Sequence, residues 1–340
     1  MVFKGMLSRI TKNRFVFTGV VVNALLSVIL IGIHTIPGGT RSIAVPTWGV
    51  TFVPSYAKYL GLDWRKVYTD LLDDLGVRWI RIEVPWNEIE PSPGVFDLSN
   101  VMWQLDEAQK RSAHVLVAVG RKLPRWPECR MPQWVKPLTR EEQEVRTLSM
   151  VRSIVQELRD HPAIWGWQVE NEPLFWFGQC PSPDKHFYEQ EVALVRSIDS
   201  RPIVGTDSGE LSTWWRMSKI VDILGVSMYH STHNPLIGYT RYPIVPALYA
   251  RKAWLVSGRV ARIFSSEVQM EPWAPSDILT LPVEEQFRSF SIGDFGRNIE
   301  FARRTGFDTF YLWGVEWWAW MRQTHHHPEF WESAKKLYKS

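Results

Sequence analysis

Strand-like and helix-like segments alternate along the chain from about Ala44 to its end. The strand-like runs are short, rich in Val, Ile and aromatic residues, and apolar along their length, which is typical of parallel strands buried on both faces. Helical spacing follows each run, and helix boundaries are marked by Gly76 and by the capping-box pattern that opens at Thr139. Eight such repeats predict an α/β fold of the (β/α)8, or TIM-barrel, type over residues 47–340.

The predicted elements follow one another without an internal linker or a second domain. The strands are predicted at 48–54, 77–84, 114–120, 164–169, 202–206, 223–229, 261–266 and 307–314. The main helices are predicted at 64–75, 98–112, 139–160, 184–198, 214–221, 247–256, 283–304 and 328–338.

An apolar segment without charged side chains precedes the barrel at residues 15–36. About 20 apolar residues are enough for a helix to cross a bilayer. The segment is long for the apolar region of a signal peptide, and no Ala-x-Ala site follows it, so we expect an uncleaved signal-anchor, a single N-terminal transmembrane helix. A cleaved signal peptide and a buried soluble helix are the alternatives. A short linker, 37–46, would join the helix to the barrel.

Positive charge is concentrated in the predicted cytoplasmic flank, residues 1–14. Lys4, Arg9, Lys12 and Arg14 account for more than the formal net charge of +3, so the rest of the chain sums to 3 − 4 = −1. This bias predicts a cytoplasmic N-terminus and a barrel on the extracytoplasmic side of the cell membrane. The folded part has no basic stripe, so no nucleic-acid partner is expected.

Two predicted strands end in a carboxylate. The fourth predicted strand ends at Asn171-Glu172-Pro173, because proline cannot donate a ladder hydrogen bond. The seventh predicted strand is followed directly by Glu267. The carboxyl ends of barrel strands are where catalytic groups lie. Two glutamates presented there, Glu172 and Glu267, match the needs of glycosidic-bond cleavage, which takes one proton donor and one nucleophile. Structural ion pairs are the alternative for both, and the chemistry needs no cofactor.

At these residues the chain resembles the retaining glycoside hydrolases of clan A, which have glutamates at the ends of strands four and seven. Asn171-Glu172-Pro173 is similar to the clan's acid/base motif, and Ser266-Glu267 to its nucleophile position. The run from Val84-Pro85-Trp86 to Asp97 is similar to cellulase-like, xylosidase-like and galactosidase-like members, and so is the Leu-Pro-Arg-Trp sequence that ends at Trp126.

The resemblance implies further substrate-binding residues. Arg81 is similar to the arginine beside the nucleophile, although a plain core ion pair is the alternative. Tyr229 resembles a tyrosine that touches the nucleophile, and Trp313 the tryptophan floor of the sugar site. Asn171 is expected to bind the sugar 2-hydroxyl. The chain departs from many cellulase-like members in the residues after Glu267. Glu271, in this segment, is an alternative candidate for part of the role of Glu267.

Several other residues have plainer interpretations. Glu83 and Glu316 lie near strand ends and are expected to be binding or structural groups. The run His325-His326-His327 lacks the helical spacing of metal ligands, so a solvated loop is expected and no metal site.

The two cysteines follow the third and fourth strands. Neighbouring loops on one barrel face would bring Cys129 and Cys180 together, and an extracytoplasmic compartment permits oxidation, so a disulfide is expected. Two unpaired thiols are the alternative. The same loops would place Trp126 and Trp176 near the sugar.

The sequence therefore predicts a membrane-anchored retaining glycoside hydrolase that acts on an oligo- or polysaccharide. A transglycosylase and a non-catalytic glycan-binding envelope protein are the alternatives.

Overall fold

The computed structural model describes residues 45–181 and 184–339, which belong to a compact unit spanning Thr40–Ser340. The predicted segments 1–14 and 15–36, and most of the predicted linker 37–46, lie outside the described residues. Among the described helices, none is both long and apolar enough to cross a membrane.

Eight parallel strands close into a barrel in the order β1-β2-β3-β4-β5-β6-β9-β10, which confirms the predicted (β/α)8 fold. The barrel strands are β1 Thr47–Phe52, β2 Trp79–Glu83, β3 His114–Val119, β4 Ile164–Val169, β5 Ile203–Asp207, β6 Ile223–Met228, β9 Arg262–Gln269 and β10 Thr309–Trp313. A small antiparallel hairpin follows β6, with strands β7 Ser231–Asn234 and β8 Gly238–Arg241.

Helices cover the outside of the barrel, and short helices also lie within some of the connecting loops. They span Pro54–Tyr59, Trp64–Asp73, Trp86–Ile89, Ser99–Lys110, Arg140–Leu158, Lys185–Ile198, Pro246–Val256, Val283–Gln286, Ile292–Arg303, Val315–Thr324 and Glu329–Lys339, with a 3-10 turn at Met217–Lys219. The predicted capping box is present at Thr139, whose hydroxyl accepts from the Glu142 amide while the Glu142 carboxylate accepts from the Thr139 amide.

The core has two parts. The larger part lies between the sheet and the surrounding helices. A smaller cluster fills the inside of the barrel and consists of Leu116, Val204, Ile223, Phe264 and Tyr311, with Trp79 and Trp165 packed against it. Apolar side chains fill the barrel interior, so the polar side chains that follow on the same strands lie at the carboxyl end of the barrel.

Strand β9 contains a bulge that the sequence did not reveal. Against β6, Val226 pairs with Ser265 and Ser227 pairs with Glu267, so Ser266 is an extra residue. The predicted strand ended at residue 266, whereas β9 continues to Gln269. A bulge turns the following side chains to the opposite face, and here it turns Glu267 toward the barrel interior.

Two further predictions about elements were wrong, and one helix was missed. The helix predicted at 283–304 is two helices, because Ser291 opens a second capping box with Asp294. The helix predicted at 214–221 is only a 3-10 turn, Met217–Lys219. The helix Val315–Thr324 directly follows β10 and was not predicted; it begins after Gly314, whose φ of 125° permits the sharp turn.

Candidate active site

A cavity of about 610 Å³ lies at the carboxyl ends of the barrel strands. Its walls combine carboxylates, one arginine and several aromatic rings. The lining includes Tyr56, Arg125, Trp126, Glu128, Phe177, Tyr229, Glu267, Gln269, Glu271, Trp273, Asp277 and Trp313. Such a concave, aromatic site with a few converging polar groups is the usual form of a ligand pocket.

Arg81 organises the base of this site. It is fully buried on β2, and its guanidinium donates to Gln168 Oε1 at 2.7 Å, to Glu267 Oε1 at 2.8 Å and to Asn171 Oδ1 at 2.8 Å. A guanidinium presents donors in a rigid planar fork, so these contacts fix the positions of all three acceptors. The predicted residues Arg81, Asn171 and Glu267 are therefore brought together by one side chain.

Glu267 is held at both of its carboxylate oxygens. Oε1 pairs with Arg81, and Oε2 accepts from the Tyr229 hydroxyl at 2.9 Å. Only 6% of the residue is exposed. Burial, and then the charge of Glu267, raise the pKa of Tyr229 well above its usual value, so Tyr229 remains a proton donor. Tyr229 lies one residue after β6, not within the predicted strand 223–229.

Glu172 follows β4 in an unusual backbone conformation, with a φ of 44°. Its amide donates to Thr206 Oγ1 at 2.8 Å, and its carbonyl accepts from the Lys122 ammonium at 2.9 Å. These contacts hold a conformation that non-glycine residues rarely adopt and that is often found at functional sites. Glu172 lies beside the cavity rather than among the residues that line it.

The environment of Glu172 favours its protonated form. Burial, followed by the negative charge of Glu267 and then of Glu128, raises its pKa well above the usual value for glutamate. Glu267, in contrast, has the Arg81 guanidinium 2.8 Å away. The site therefore contains one carboxyl group arranged to hold a proton and one arranged to be an anion.

Trp313 and Glu271 form the neighbouring wall. Trp313 Nε1 donates to Glu271 Oε1 at 2.9 Å, and Arg125 donates to the same carboxylate at 2.8 Å and 3.2 Å. The Arg125 guanidinium also stacks 4.5 Å from the Trp313 ring centroid. Glu271 is thus held by Arg125 and Trp313, whereas the contacts of Glu267 converge on the Arg81 network.

Aromatic side chains form the outer rim. Trp126 is 59% exposed and packs against Phe177, which in turn packs against Trp273. Trp176 is 76% exposed in the same loop as Phe177. Exposed aromatic faces of this kind can stack on sugar rings.

The two cysteines lie beside this rim. The Sγ atoms of Cys129 and Cys180 are 2.6 Å apart, and the structure holds them as two free cysteines. The loops after β3 and β4 are thus adjacent, as expected, while the disulfide itself stays a prediction.

Sequence reasoning missed four polar residues of the site. Gln168 and Thr206 hold Arg81 and Glu172, and Arg125 and Glu128 line the cavity. Gln168 lies on β4 and Thr206 on β5, so an inward-facing polar residue in an otherwise apolar strand was the available signal. Arg125 and Glu128 have left-handed backbones that a sequence does not reveal.

Two other predicted residues, Glu83 and Glu316, have partners outside the Arg81 network. Glu83 is paired with Arg130, and Glu316 accepts from the Val53 amide and is 3.6 Å from Arg125. Across residues 45–181 and 184–339, no group of three or more His, Cys, Asp and Glu side chains is arranged to hold a metal ion.

Neither the protein-family models nor the curated protein sequences contain a match to this chain. Solved structures do match. A family 5 glycoside hydrolase of subfamily 18 from Streptomyces cattleya, in complex with GlcNAc, has a TM-score of 0.53 and 16% identity over 79% of this chain and 70% of its own. A β-galactosidase from the haloarchaeon Halorubrum lacusprofundi has a TM-score of 0.58 and 15% identity.

This chain spans 57% of that galactosidase's length, and 86% of this chain is covered. A family 10 endo-β-1,4-xylanase from Gloeophyllum trabeum is covered over its whole length, at a TM-score of 0.56 and 15% identity, with 89% of this chain. At such low identity, these similarities establish a shared fold. The chain has the (β/α)8 fold of the clan A glycoside hydrolases.

Proposed function

We propose that this protein is a retaining glycoside hydrolase in which Glu267 is the nucleophile and Glu172 is the acid/base. The observation that supports this best is the contrast between the two carboxyl groups. Glu267 is bound by Arg81 and Tyr229, while burial and the charge of Glu267 raise the pKa of Glu172 well above its usual value. Glycosidic cleavage needs this pair of opposite protonation states.

The reaction follows from these states. Glu267 Oε attacks the anomeric carbon as the bond to the leaving oxygen breaks, and Glu172 gives its proton to that oxygen. The glycosyl ester removes the negative charge of Glu267, so the proton affinity of Glu172 falls. Glu172, now ionised, takes a proton from water, which attacks the anomeric carbon and releases Glu267. Both residues return to their starting states.

The substrate that fits this site is an oligo- or polysaccharide. The cavity of about 610 Å³ is bounded by Trp313 at its base and by Trp126, Phe177 and Trp273 outward. Aromatic rings at several depths suit a chain of sugars. Solved structures with this fold contain GlcNAc, a mannosyl-GlcNAc disaccharide and xylobiose, which are ligands of those proteins.

We also propose that residues 15–36 anchor the protein in the cell membrane, with the barrel outside the cytoplasm. The support is the charge-free apolar segment behind Lys4, Arg9, Lys12 and Arg14. Protease added to intact spheroplasts should digest the barrel. Protection of the barrel until the cells are lysed would contradict this orientation.

Product analysis tests the proposed reaction. The purified protein should hydrolyse at least one member of a panel of 4-nitrophenyl glycosides and β-linked polysaccharides, and NMR should show that the first product keeps the anomeric configuration of the substrate. An inverted product would exclude double displacement. Longer oligosaccharides as the main product would favour the transglycosylase, and binding without turnover would favour a glycan-binding protein.

A further inference from the structure

Lys122, in the loop after β3, is a lysine with no exposed surface. Its ammonium lies 2.9 Å from the Glu172 carbonyl oxygen, 3.1 Å from the Phe175 carbonyl oxygen and 3.3 Å from Glu128 Oε2. An ammonium has three donors and no acceptor, so these three oxygens match its capacity. A buried charge is costly unless it is paired in this way. The contacts therefore hold the ammonium in one position.

The main chain of Lys122 is bonded to the two residues that precede Glu172. Its amide donates to Glu170 Oε2 at 2.6 Å, and its carbonyl accepts from the Asn171 amide at 2.6 Å. With the ammonium on the Glu172 carbonyl, Lys122 contacts three consecutive residues directly after β4. Two of these have left-handed backbones, with a φ of 57° at Glu170 and of 44° at Glu172. Lys122 thus holds the strained segment that carries the proposed acid/base.

The position of the Glu172 carboxyl group depends on this backbone. Across residues 45–181 and 184–339, Glu172 forms its hydrogen bonds through the main chain. Its amide donates to Thr206 Oγ1 at 2.8 Å, and its carbonyl accepts from the Phe175 amide at 3.0 Å as well as from Lys122. A general acid must lie within hydrogen-bond reach of the leaving oxygen. A rotation of the peptide group after Glu172 would turn the carboxyl group away from that oxygen.

We propose that Lys122 is a positioning residue for the acid/base, whose contact with the Glu172 carbonyl serves proton transfer and not nucleophilic attack. This inference rests on the proposed glycosidase function and adds a residue to it. Glu267 has supports of its own, because Arg81 donates from β2 and Tyr229 donates from the segment after β6. Loss of the ammonium should therefore displace Glu172 and leave Glu267 in place.

Lys122→Met tests this division, because methionine keeps a long flexible side chain and removes the charge. The substrates are 2,4-dinitrophenyl and phenyl glycosides of the sugar that the wild type cleaves fastest. Dinitrophenol leaves without a proton, whereas phenol needs one. We expect kcat/KM to fall about 10- to 100-fold with the phenyl glycoside and to stay within about twofold of the wild type with the dinitrophenyl glycoside.

The second step of the reaction gives an independent readout. With the dinitrophenyl glycoside, kcat of Lys122→Met should fall, because hydrolysis of the glycosyl ester needs Glu172 as a base. Azide attacks that ester without a base, releases the Glu267 carboxylate and should restore kcat, giving a glycosyl azide that keeps the configuration of the substrate. A kcat that azide does not restore would contradict the role of Lys122 in proton transfer.

The remaining outcomes separate the inference from the proposed function. Equal losses of kcat/KM with both glycosides would show that Lys122 supports the site as a whole, and wild-type values with both would show that it is dispensable. Either result overturns the inference and leaves the proposed function intact. If the wild type cleaves no glycoside of the panel, the proposed function fails and the inference fails with it.

A double variant keeps the experiment decisive if Lys122→Met is poorly folded. The single change leaves Glu128 buried without its charged partner, which is destabilising by itself. Lys122→Met/Glu128→Gln removes both charges, and glutamine keeps an oxygen for Asn171 Nδ2. Its reference is Glu128→Gln, so that Lys122 is the single difference. The ratio of kcat/KM for the phenyl and dinitrophenyl glycosides should fall about 10- to 100-fold between the two. An equal ratio overturns the inference.

Lys252→Met is the matched control. Lys252 is also partly enclosed, and its ammonium donates to a loop carbonyl at the same end of the barrel, that of Gly209 after β5. This variant should keep the wild-type ratio of kcat/KM for the two glycosides. A ratio that falls as far as in Lys122→Met would show that the loss of any such ammonium has this effect, and would overturn the specific role of Lys122.

Discussion

At the scale of single residues, the alanine substitutions of Glu267 and Glu172 should affect turnover differently. Glu267→Ala should abolish turnover, because the carboxylate that forms the glycosyl ester is removed, and azide should restore activity by giving a glycosyl azide of inverted configuration. Glu172→Ala should retain activity on 2,4-dinitrophenyl glycosides, whose leaving groups need no proton. The readouts are steady-state kinetics and NMR of the azide product. Equal losses without rescue would contradict both assignments.

The pH dependence of turnover should be set by the ionisation of Glu172. Burial and the charge of Glu267 raise its pKa, so its proton is kept above the pH at which a free glutamate ionises. The first step needs that proton, and kcat/KM should therefore fall as pH rises through the raised pKa. In Glu267→Gln the neighbouring charge is absent, so the pKa of Glu172 should be lower, which 13C NMR of labelled glutamate measures. An unchanged alkaline limb in Glu172→Ala would contradict this origin.

The residues of the site could be predicted from the sequence only where they lie at the carboxyl ends of strands. Glu172 follows β4, Trp313 ends β10 and Glu267 lies near the end of β9, so the structure brings each to the same end of the barrel. Glu128 lies well past the end of β3, in the loop that follows it, and its position depends on a turn with left-handed residues. Such a turn is set by surrounding contacts, so local sequence preference does not reveal it.

At the scale of elements, the loops after β3 and β4 meet at Cys129 and Cys180. Their sulfurs are 2.6 Å apart, so oxidation requires little movement. Protein exported from the cytoplasm should show no free thiols when it is denatured without reductant. In the chain-entropy model, closure of this loop of about 50 residues restricts the unfolded state by roughly 4 kcal/mol, so reduction should lower the melting temperature. Two titratable thiols in exported protein would show that packing alone holds the rim.

The strands were predicted better than the helices. A parallel strand buried on both faces is a continuous apolar run between polar breaks, and this signal depends little on context. The helix Val315–Thr324 carries three tryptophans that belong to the core, and it begins without a polar cap residue. The hairpin of β7 and β8 is held by contacts such as Tyr239 with Glu285, which lie far apart in sequence.

At the scale of the whole molecule, buried carboxyl groups make stability depend on pH. Burial raises the pKa of Glu83, of Glu191 and of Glu316, the last to about 7. The folded protein then binds protons more strongly than the unfolded chain, so stability is greatest below the unfolded pKa and falls as pH rises through the folded one. The melting temperature should therefore decrease from pH 5 to pH 8.

Glu316→Gln isolates one contribution to this trend. The amide oxygen of glutamine can still accept from the Val53 amide, but the side chain no longer binds or releases a proton. A pKa near 7 in place of 4.5 corresponds to about 3 kcal/mol between pH 4.5 and pH 8, so the variant should lose less stability over that range. Glu284→Gln, at an exposed position, should follow the wild-type curve. Parallel curves for wild type and Glu316→Gln would contradict the prediction.

The bulge at Ser266 makes the nucleophile depend on the number of residues in β9. Phe264 faces the barrel interior, Glu267 also faces inward three residues later, and Val268 packs in the outer core. With two residues between Phe264 and Glu267, the two side chains share a face only because of the bulge. If β9 paired regularly, without the bulge, the same residues would send the carboxylate into the apolar layer under the helices and a valine to the sugar. Substitutions near this point act by degrees, whereas a one-residue slip in the pairing of β9 exchanges the two faces of the strand at once.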